Sequence, residues 1–206
     1  MCNAFNTAQK TEKIPLPSGG NPPDSLSDKP ETRLIRRTNS TPIILQDGTL
    51  TEMRWGFQRK GLGVINNTRS DNLESQIWKE SFARRPCLIP LISYYEWSGP
   101  KGHKRTHLFR SAAQQWLYAA GLWEPNTELG DCVSMLTTDA NDFVSPIHHR
   151  MPAFLDEEHQ NQYLSQSLTA LQPSVLSLDV SDAPNPLLKN PPRHTQGCLL
   201  YTSDAA

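Results

Sequence analysis

Short runs of apolar residues, separated by turn residues, dominate the chain and predict a protein built mainly of β-strands. The segments TPIILQDGTL and TEMRWGF predict a hairpin that turns at Asp47-Gly48, a dipeptide typical of tight turns. RPCLIPLISYYEW predicts a buried strand interrupted at Pro90. THLFR and WLYAAGLWE predict a second hairpin, and CVSMLTTDA predicts a further strand.

Helical patterns are fewer. NLESQIWKESFA places apolar residues at helical spacing after Asn72, a possible N-cap, and DEEHQNQYLSQSL opens with acidic residues, as helices often do. Strands with scattered helices favour an α+β fold. No glycine-rich phosphate-binding loop is present in the sequence, so we expect no nucleotide cofactor.

Two segments stand apart in composition. Residues 11–29 are rich in proline, serine and glycine and predict a loop. Residues 198–206 follow a proline-rich stretch without periodicity, and we interpret them as a non-native or disordered tail, with a short terminal strand as the alternative. The remaining residues, 1–197, are predicted to form a single domain.

Charge and cysteine content narrow the functional classes. The 206 residues carry a net charge of −1, so binding to nucleic acid would need a local basic patch. Four cysteines without CxxC spacing favour a reducing compartment, and we expect a cytoplasmic protein. No apolar run reaches the ~20 residues of a membrane span, and no signal peptide opens the chain, so no membrane partner is expected.

The first five residues, MCNAF, place Cys2 where removal of Met1 would make it the N-terminal residue. Its amine could then condense with an aldehyde, and its thiol could close on the imine to give a thiazolidine ring. The same residue could act as an N-terminal nucleophile with its own amine as the base. The alternative is an ordinary residue in a frayed terminus.

Three further segments carry candidate chemistry. INNTRSDN places Asn67 and Arg69 on one face of an extended segment. YYEW places Glu96 between aromatic residues, where a carboxylate must be paired or protonated. IHHRMP brings His148 and Arg150 close together in sequence. Each also has a structural explanation, namely a turn cap, a strand partner or a surface histidine. The adjacent histidines and scattered cysteines do not favour a metal site.

In combination, Cys2, NNTRSD, RRPCLIPLISYYEW, AGLWE, LTTDA and HHRMP occur in an order that resembles the SOS-response-associated peptidase (SRAP) family, whose members crosslink to abasic sites in single-stranded DNA. The resemblance covers residues 2–155. It implies a single α+β domain around a β-barrel-like core, with the cysteine at the floor of a DNA-binding groove. It also implies a catalytic set consisting of Cys2, Asn67, Glu96 and His148.

The resemblance suggests a role for each of these residues. Glu96, with a raised pKa, would help open the closed sugar, and His148 would stabilise the sugar oxygen as a cation or as a hydrogen-bond donor. Asn67 would hold the terminal amine through its amide oxygen. Arginines would contact phosphates and tryptophans would stack on bases. The predicted DNA-binding set is Trp55, Arg69, Arg84, Arg85, Trp97, Thr137 and Arg150.

Departures from the family pattern lie at Asn3 and Ala4, where Gly-Arg is usual, and at Arg37, where proline is usual. They affect the expected DNA affinity and the pose of Cys2. We expect a monomer that crosslinks to abasic sites in single-stranded DNA without a cofactor. A thiol (auto)peptidase that uses Cys2 and a non-catalytic single-stranded DNA-binding protein are the alternative hypotheses.

Overall fold

The computed structural model describes residues 2–17, 31–168 and 170–188. The elements in these ranges are mostly strands. The strands are β1 (Ala4–Ala8), β2 (Thr32–Arg36), β3 (Ser40–Ile44), β4 (Leu50–Trp55), β5 (Phe57–Arg59), β6 (Gly63–Ile65), β7 (Asn67–Arg69), β8 (Pro86–Leu91), β9 (Ser93–Ser98), β10 (Arg105–Ser111), β11 (Leu117–Glu124), β12 (Cys132–Asp139), β13 (Arg150–Pro152) and β14 (Leu178–Asp182). The α-helices are α1 (Lys79–Arg84) and α2 (Glu157–Leu164), and short 3-10 helices lie at Thr11–Lys13 and Ser70–Asn72.

Five strands close into a barrel. They are hydrogen-bonded in the order β11-β8-β3-β4-β12, and pairing of β11 with β12 completes the ring. Strand β12 also pairs with β7 in parallel and with β13 in antiparallel orientation. These two pairings bring the segments that contain Asn67 and Arg150 to the same end of β12. The barrel confirms the predicted α+β fold with a β-barrel-like core.

A second sheet has the order β14-β10-β9-β1-β2, and its neighbouring strands are antiparallel. Strand β1 begins two residues after Cys2 and pairs with β9, which contains Glu96. The sheet therefore fixes the start of the chain beside the predicted catalytic carboxylate. Strands β5 and β6 form a separate two-stranded ribbon.

The hairpin predicted around Asp47-Gly48 is confirmed. Strands β3 and β4 pair from Ser40↔Arg54 to Ile44↔Leu50, and Gly48 takes a φ of 81°, which glycine adopts without strain. The side chain of Asp47 accepts a hydrogen bond from the Thr49 N–H at 2.9 Å. Hydrogen bonds between neighbouring residues close this turn.

The long apolar segment 85–97 forms two strands that belong to different sheets. Pro90 lies inside β8, and the chain leaves the barrel at Ile92 rather than at Pro90. Every residue of β8 is buried because both faces of the strand are covered. Its Cys87 and Ile89 pack in the cluster that contains Cys2, whereas Leu88 packs in the cluster that contains Trp78 and Tyr163.

The second predicted hairpin is wrong. Strand β10 pairs with β9 and β14, whereas β11 pairs with β8 and β12, so the two segments lie in different sheets. The partners of a strand depend on which parts of the protein cover its two faces, and the sequence of the strand itself does not specify this. The strand predicted from CVSMLTTDA is confirmed as β12.

The first predicted helix is shorter than expected, and the second is confirmed. Asn72 ends a 3-10 turn instead of capping a helix, and α1 begins only at Lys79. Helix α2 begins after Asp156, whose carboxylate caps it by accepting the His159 N–H at 2.9 Å. No helix in the described ranges is long and apolar enough to cross a bilayer. Most of the predicted loop at 11–29 and the predicted tail at 198–206 lie outside the described residues.

Candidate functional site

Cys2 is fixed by its backbone and enclosed by its surroundings. Its carbonyl oxygen accepts hydrogen bonds from Asn67 Nδ2 at 2.6 Å and from Asn66 Nδ2 at 3.2 Å. Its thiol is 1% exposed and donates to the Ala4 carbonyl at 3.3 Å. Burial, and after it the nearby carboxylate of Glu96, raises the pKa of the Cys2 thiol. Cys2 therefore has a neutral thiol in a defined position.

Asn67 lies at the start of β7 and holds Cys2 through its amide nitrogen. Its Oδ1 is buried and accepts no hydrogen bond within the described part of the chain. That oxygen is the acceptor predicted to hold the terminal amine, and the assignment stays a prediction. Asn66 is a second clamp that sequence reasoning missed, although the adjacent pair in INNTRS was a visible signal. It also contacts the side chain of Asn3 at 3.5 Å.

Glu96 is buried in β9 with 1% of its surface exposed. Burial raises its pKa from 4.5 to about 7, against opposing contributions that include the charge of Lys104. The prediction of a raised pKa is confirmed. At neutral pH both protonation states of Glu96 are populated, so it can give or take a proton close to Cys2.

His148 is half-buried, and its ring stacks on that of His149 with 4.5 Å between centroids. Burial lowers the pKa of His148 from 6.5 to about 4. The ring is neutral at pH 7, so the predicted cationic role is wrong. His148 Nδ1 lies 3.0 Å from the Arg150 backbone nitrogen and 3.1 Å from the Arg150 carbonyl oxygen, so it has a backbone partner in either tautomer. The neutral tautomer with its proton on Nε2 is compatible with the predicted hydrogen-bond donor.

The two arginines of the predicted motifs differ in exposure. The Arg69 side chain is 53% exposed and forms a two-point ion pair with Asp71, with Nε 2.9 Å from the carboxylate. The Arg150 side chain is 3% exposed, bonds Asp139 at 2.6 Å and donates to the Thr137 carbonyl. Because two carboxylates, including Asp71 at 3.9 Å, neutralise Arg150, the prediction that it contacts phosphate is wrong. It joins β12 to β13 instead.

Two other predicted DNA contacts are core residues. Trp55 is fully buried, and its indole N–H donates to the Asn66 carbonyl at 2.8 Å, so it cannot stack on a base. Thr137 is 1% exposed, and its hydroxyl donates to the Thr68 carbonyl at 3.4 Å. Both predictions are wrong because each side chain is buried and has a hydrogen-bond partner inside the protein. Trp97 is half-buried on β9 and retains an accessible surface.

Arg84 and Arg85 lie at the end of α1. Arg84 is exposed, while Arg85 donates to the Trp123 carbonyl at 3.0 Å and pairs with Glu80 at 3.5 Å. No described contact connects either arginine to the residues around Cys2. Arg85 has a structural role at the helix end.

Lys104 is a charged neighbour that sequence reasoning missed. It is exposed after the β9–β10 turn, and its positive charge lowers the pKa of both Glu96 and His148. The signal available in the sequence was the basic segment KGHKR at 101–105. Within the described ranges, no group of three or more histidine, cysteine or acidic side chains could hold a metal ion.

Comparisons with known proteins agree on one family. The sequence model of the SOS response associated peptidase (SRAP) family matches residues 1–185. The abasic site processing protein YoaM of Bacillus subtilis is 28% identical over 158 residues, which cover 68% of this chain and 69% of YoaM. YoqW, an abasic site processing protein of the same organism, is 28% identical over 141 residues, covering 61% and 63% of the two chains.

Solved structures share the fold. A protein from Bacteroides thetaiotaomicron superposes with a TM-score of 0.71 at 21% identity, covering 89% of this chain and 93% of its own. A protein from Bordetella bronchiseptica gives a TM-score of 0.65 at 19% identity, covering 88% and 99%. At these identities the likeness concerns the fold.

Proposed function

We propose, because the chain belongs to the SOS response associated peptidase (SRAP) family, that it processes abasic sites in single-stranded DNA by forming a covalent thiazolidine with Cys2. The observation that carries the proposal is the placement of Cys2. Two asparagines clamp its carbonyl, and a buried carboxyl group with a pKa of about 7 lies close to its thiol.

The reaction begins with removal of Met1, which frees the amine of Cys2. The amine adds to the aldehyde of the opened sugar and water leaves, giving an imine. The thiol sulfur then bonds to the imine carbon, and its proton passes to the nitrogen. The ring is closed without an oxidant or a cofactor, and every step after the removal of Met1 is reversible.

Glu96 is proposed to transfer the protons in these steps. In its acidic form it protonates the ring oxygen of the closed sugar and so promotes opening. In its basic form it accepts the proton of the buried Cys2 thiol, which does not ionise unaided at neutral pH. His148 donates a hydrogen bond to the sugar oxygen from Nε2.

Contacts to the DNA strand are proposed at three exposed or half-exposed side chains. Arg69 contacts a phosphate after exchanging part of its pairing with Asp71, and Lys104 contacts a phosphate close to Glu96. Trp97 stacks on a base next to the abasic site. Only this local surface needs positive potential, which is consistent with the net charge of −1.

The proposal is tested by incubating the protein with a single-stranded oligonucleotide that contains one abasic site, followed by denaturing electrophoresis. We expect a covalent band with the wild type and with Cys132→Ala, which removes another buried thiol. Cys2→Ala should yield no stable adduct.

Two results would favour the alternatives. Undiminished stable crosslinking by Cys2→Ala would rule out the aminothiol. Non-covalent binding that does not depend on Cys2, without any adduct in the wild type, would identify a DNA-binding protein without crosslinking chemistry. Intact mass after expression of Cys2→Ala tests self-processing, because Met1 retained only in this variant would support an autopeptidase.

A further inference from the structure

Ser98, His107 and Asp182 form a cluster that the chemistry of Cys2 does not use. Ser98 ends β9, His107 lies on β10 and Asp182 ends β14. The register pairs His107 with Asp182 directly, and pairs Arg105 with Ser98 two residues along. Residues paired in this way share one face of the sheet, so the three side chains converge.

The distances place a hydroxyl group, an imidazole and a carboxylate next to one another in this order. Ser98 Oγ lies 2.7 Å from His107 Nε2, within hydrogen-bond distance. His107 Nδ1 lies 3.7 Å from Asp182 Oδ1. Arg105 pairs with the other carboxylate oxygen of Asp182 at 3.1 Å, on the side of the carboxylate away from the contact with the ring. A histidine placed between a hydroxyl and a carboxylate is the arrangement that activates a serine.

The residue after Ser98 provides a donor for a developing oxyanion. Gly99 has a φ of 87°, and a Cβ at this position would lie 2.9 Å from the His103 carbonyl oxygen, so only glycine fits. Among the described residues its backbone N–H donates to no acceptor. A free N–H on the residue after the nucleophile is one half of the oxyanion hole in many serine hydrolases.

Accessibility differs along the cluster. The side chain of His107 is 12% exposed, whereas that of Asp182 is 69% exposed, and Ser98 is partly exposed. The base is therefore largely shielded from water, while the hydroxyl can be reached from outside. The adjoining turn has exposed Lys101 and His103.

We propose that Ser98, His107 and Asp182 form a second, serine-dependent hydrolytic site that cleaves small acyl esters. Ser98 Oγ attacks the ester carbonyl while its proton passes to His107 Nε2. The C–O bond to the alcohol breaks, and the alcohol leaves with the proton from His107. Water activated by His107 then releases the acid from Ser98. Asp182 is a positioning residue that orients the imidazole.

The test uses the full chain carrying Cys2→Ala, which removes the thiol of the DNA site and any thiolysis by it. In this background we expect hydrolysis of p-nitrophenyl acetate, and a fluorophosphonate probe should label Ser98 in the tryptic peptide that ends at Lys101. Adding Ser98→Ala or His107→Gln should lower the hydrolysis rate by ~10²-fold or more. Asp182→Asn should lower it less, because it acts through His107.

The matched control is Ser181→Ala, which removes an exposed hydroxyl from the strand that contains Asp182. It should leave both hydrolysis and labelling unchanged. Equal hydrolysis rates in the Cys2→Ala protein with and without Ser98→Ala, together with no label on Ser98, would overturn the proposal. Crosslinking of abasic DNA by Ser98→Ala in the otherwise wild-type chain is measured in parallel, so failure at one site is distinguished from failure at the other.

Discussion

Replacing Glu96 by glutamine should change how the stability of the protein depends on pH. Glutamine keeps the shape of the protonated carboxyl group but cannot ionise. In the wild type, the pKa of Glu96 is about 7 in the folded state, against an ordinary value of 4.5 in the unfolded chain. Between these two values the folded state retains a proton that the unfolded state has released. The stability contributed by Glu96 is therefore complete below pH 4.5 and is lost as the pH rises to 7.

The size of this effect follows from the two pKa values. One pKa unit corresponds to about 1.36 kcal/mol, so ionising buried Glu96 costs the folded state about 3 kcal/mol at pH 8 relative to pH 4. The free energy of unfolding of Glu96→Gln, minus that of the wild type, should rise by this amount across the range. A change of this size corresponds to several degrees in Tm for a domain of this length.

Urea unfolding of both proteins at several pH values between 4.5 and 8.5 measures the difference. His148 contributes the opposite trend, because its pKa is lowered to about 4 and its stability contribution grows as the pH rises to 6.5. The contribution of His148 is common to both proteins, so it cancels when their free energies of unfolding are subtracted. Glu128→Gln, at an exposed carboxylate, is the control and should give a flat difference. A flat difference for Glu96→Gln as well would refute the raised pKa and the proton-transfer role that depends on it.

Two further predictions concern the crosslinking reaction. Glu96→Gln should slow both adduct formation and adduct release by ~10²–10⁴-fold at unchanged DNA affinity, because a proton-transfer group lowers the barrier in both directions. His148→Gln should slow the two reactions less. A single-turnover time course with a competing abasic strand measures both rates. Arg69→Ala should weaken binding of all single-stranded sequences alike and lower the slope of log K against log salt by ~0.7, as measured by fluorescence anisotropy. An unchanged slope would leave Arg69 as the structural partner of Asp71.

Elements of the fold that depend on local contacts could be predicted from the sequence. The turn at Asp47-Gly48 and the cap at Asp156 each need only a few neighbouring residues, and both are present. The partners of β10 and β11 could not be predicted, because pairing depends on which faces the distant strands β8, β9, β12 and β14 cover. The prediction that a helix begins after Asn72 was wrong because Leu73 and Trp78 reach the core from turns that precede α1.

The candidate site shows the same division. The order of short motifs was enough to single out Cys2, Asn67 and Glu96, and the barrel and sheet bring them together. Residue type alone did not distinguish exposed from buried members of the DNA-binding set. Trp55 and Arg150 suit DNA contacts by chemistry, yet their strand positions point them into the protein. The hydrogen bond from Asn66 to the Cys2 carbonyl was not predicted, because it depends on how the backbone brings the two segments together.

The most direct test of the central claim is to locate the bond between the protein and abasic DNA. After crosslinking, nuclease and trypsin treatment, and alkylation with iodoacetamide, mass spectrometry should find the sugar remnant on the peptide from Cys2 to Lys10, with no alkylated thiol and with Met1 absent. This result is predicted because a thiazolidine uses the amine and the thiol of Cys2 together. A remnant on a lysine such as Lys104, or on a Cys2 peptide whose thiol is still alkylated, would contradict the account.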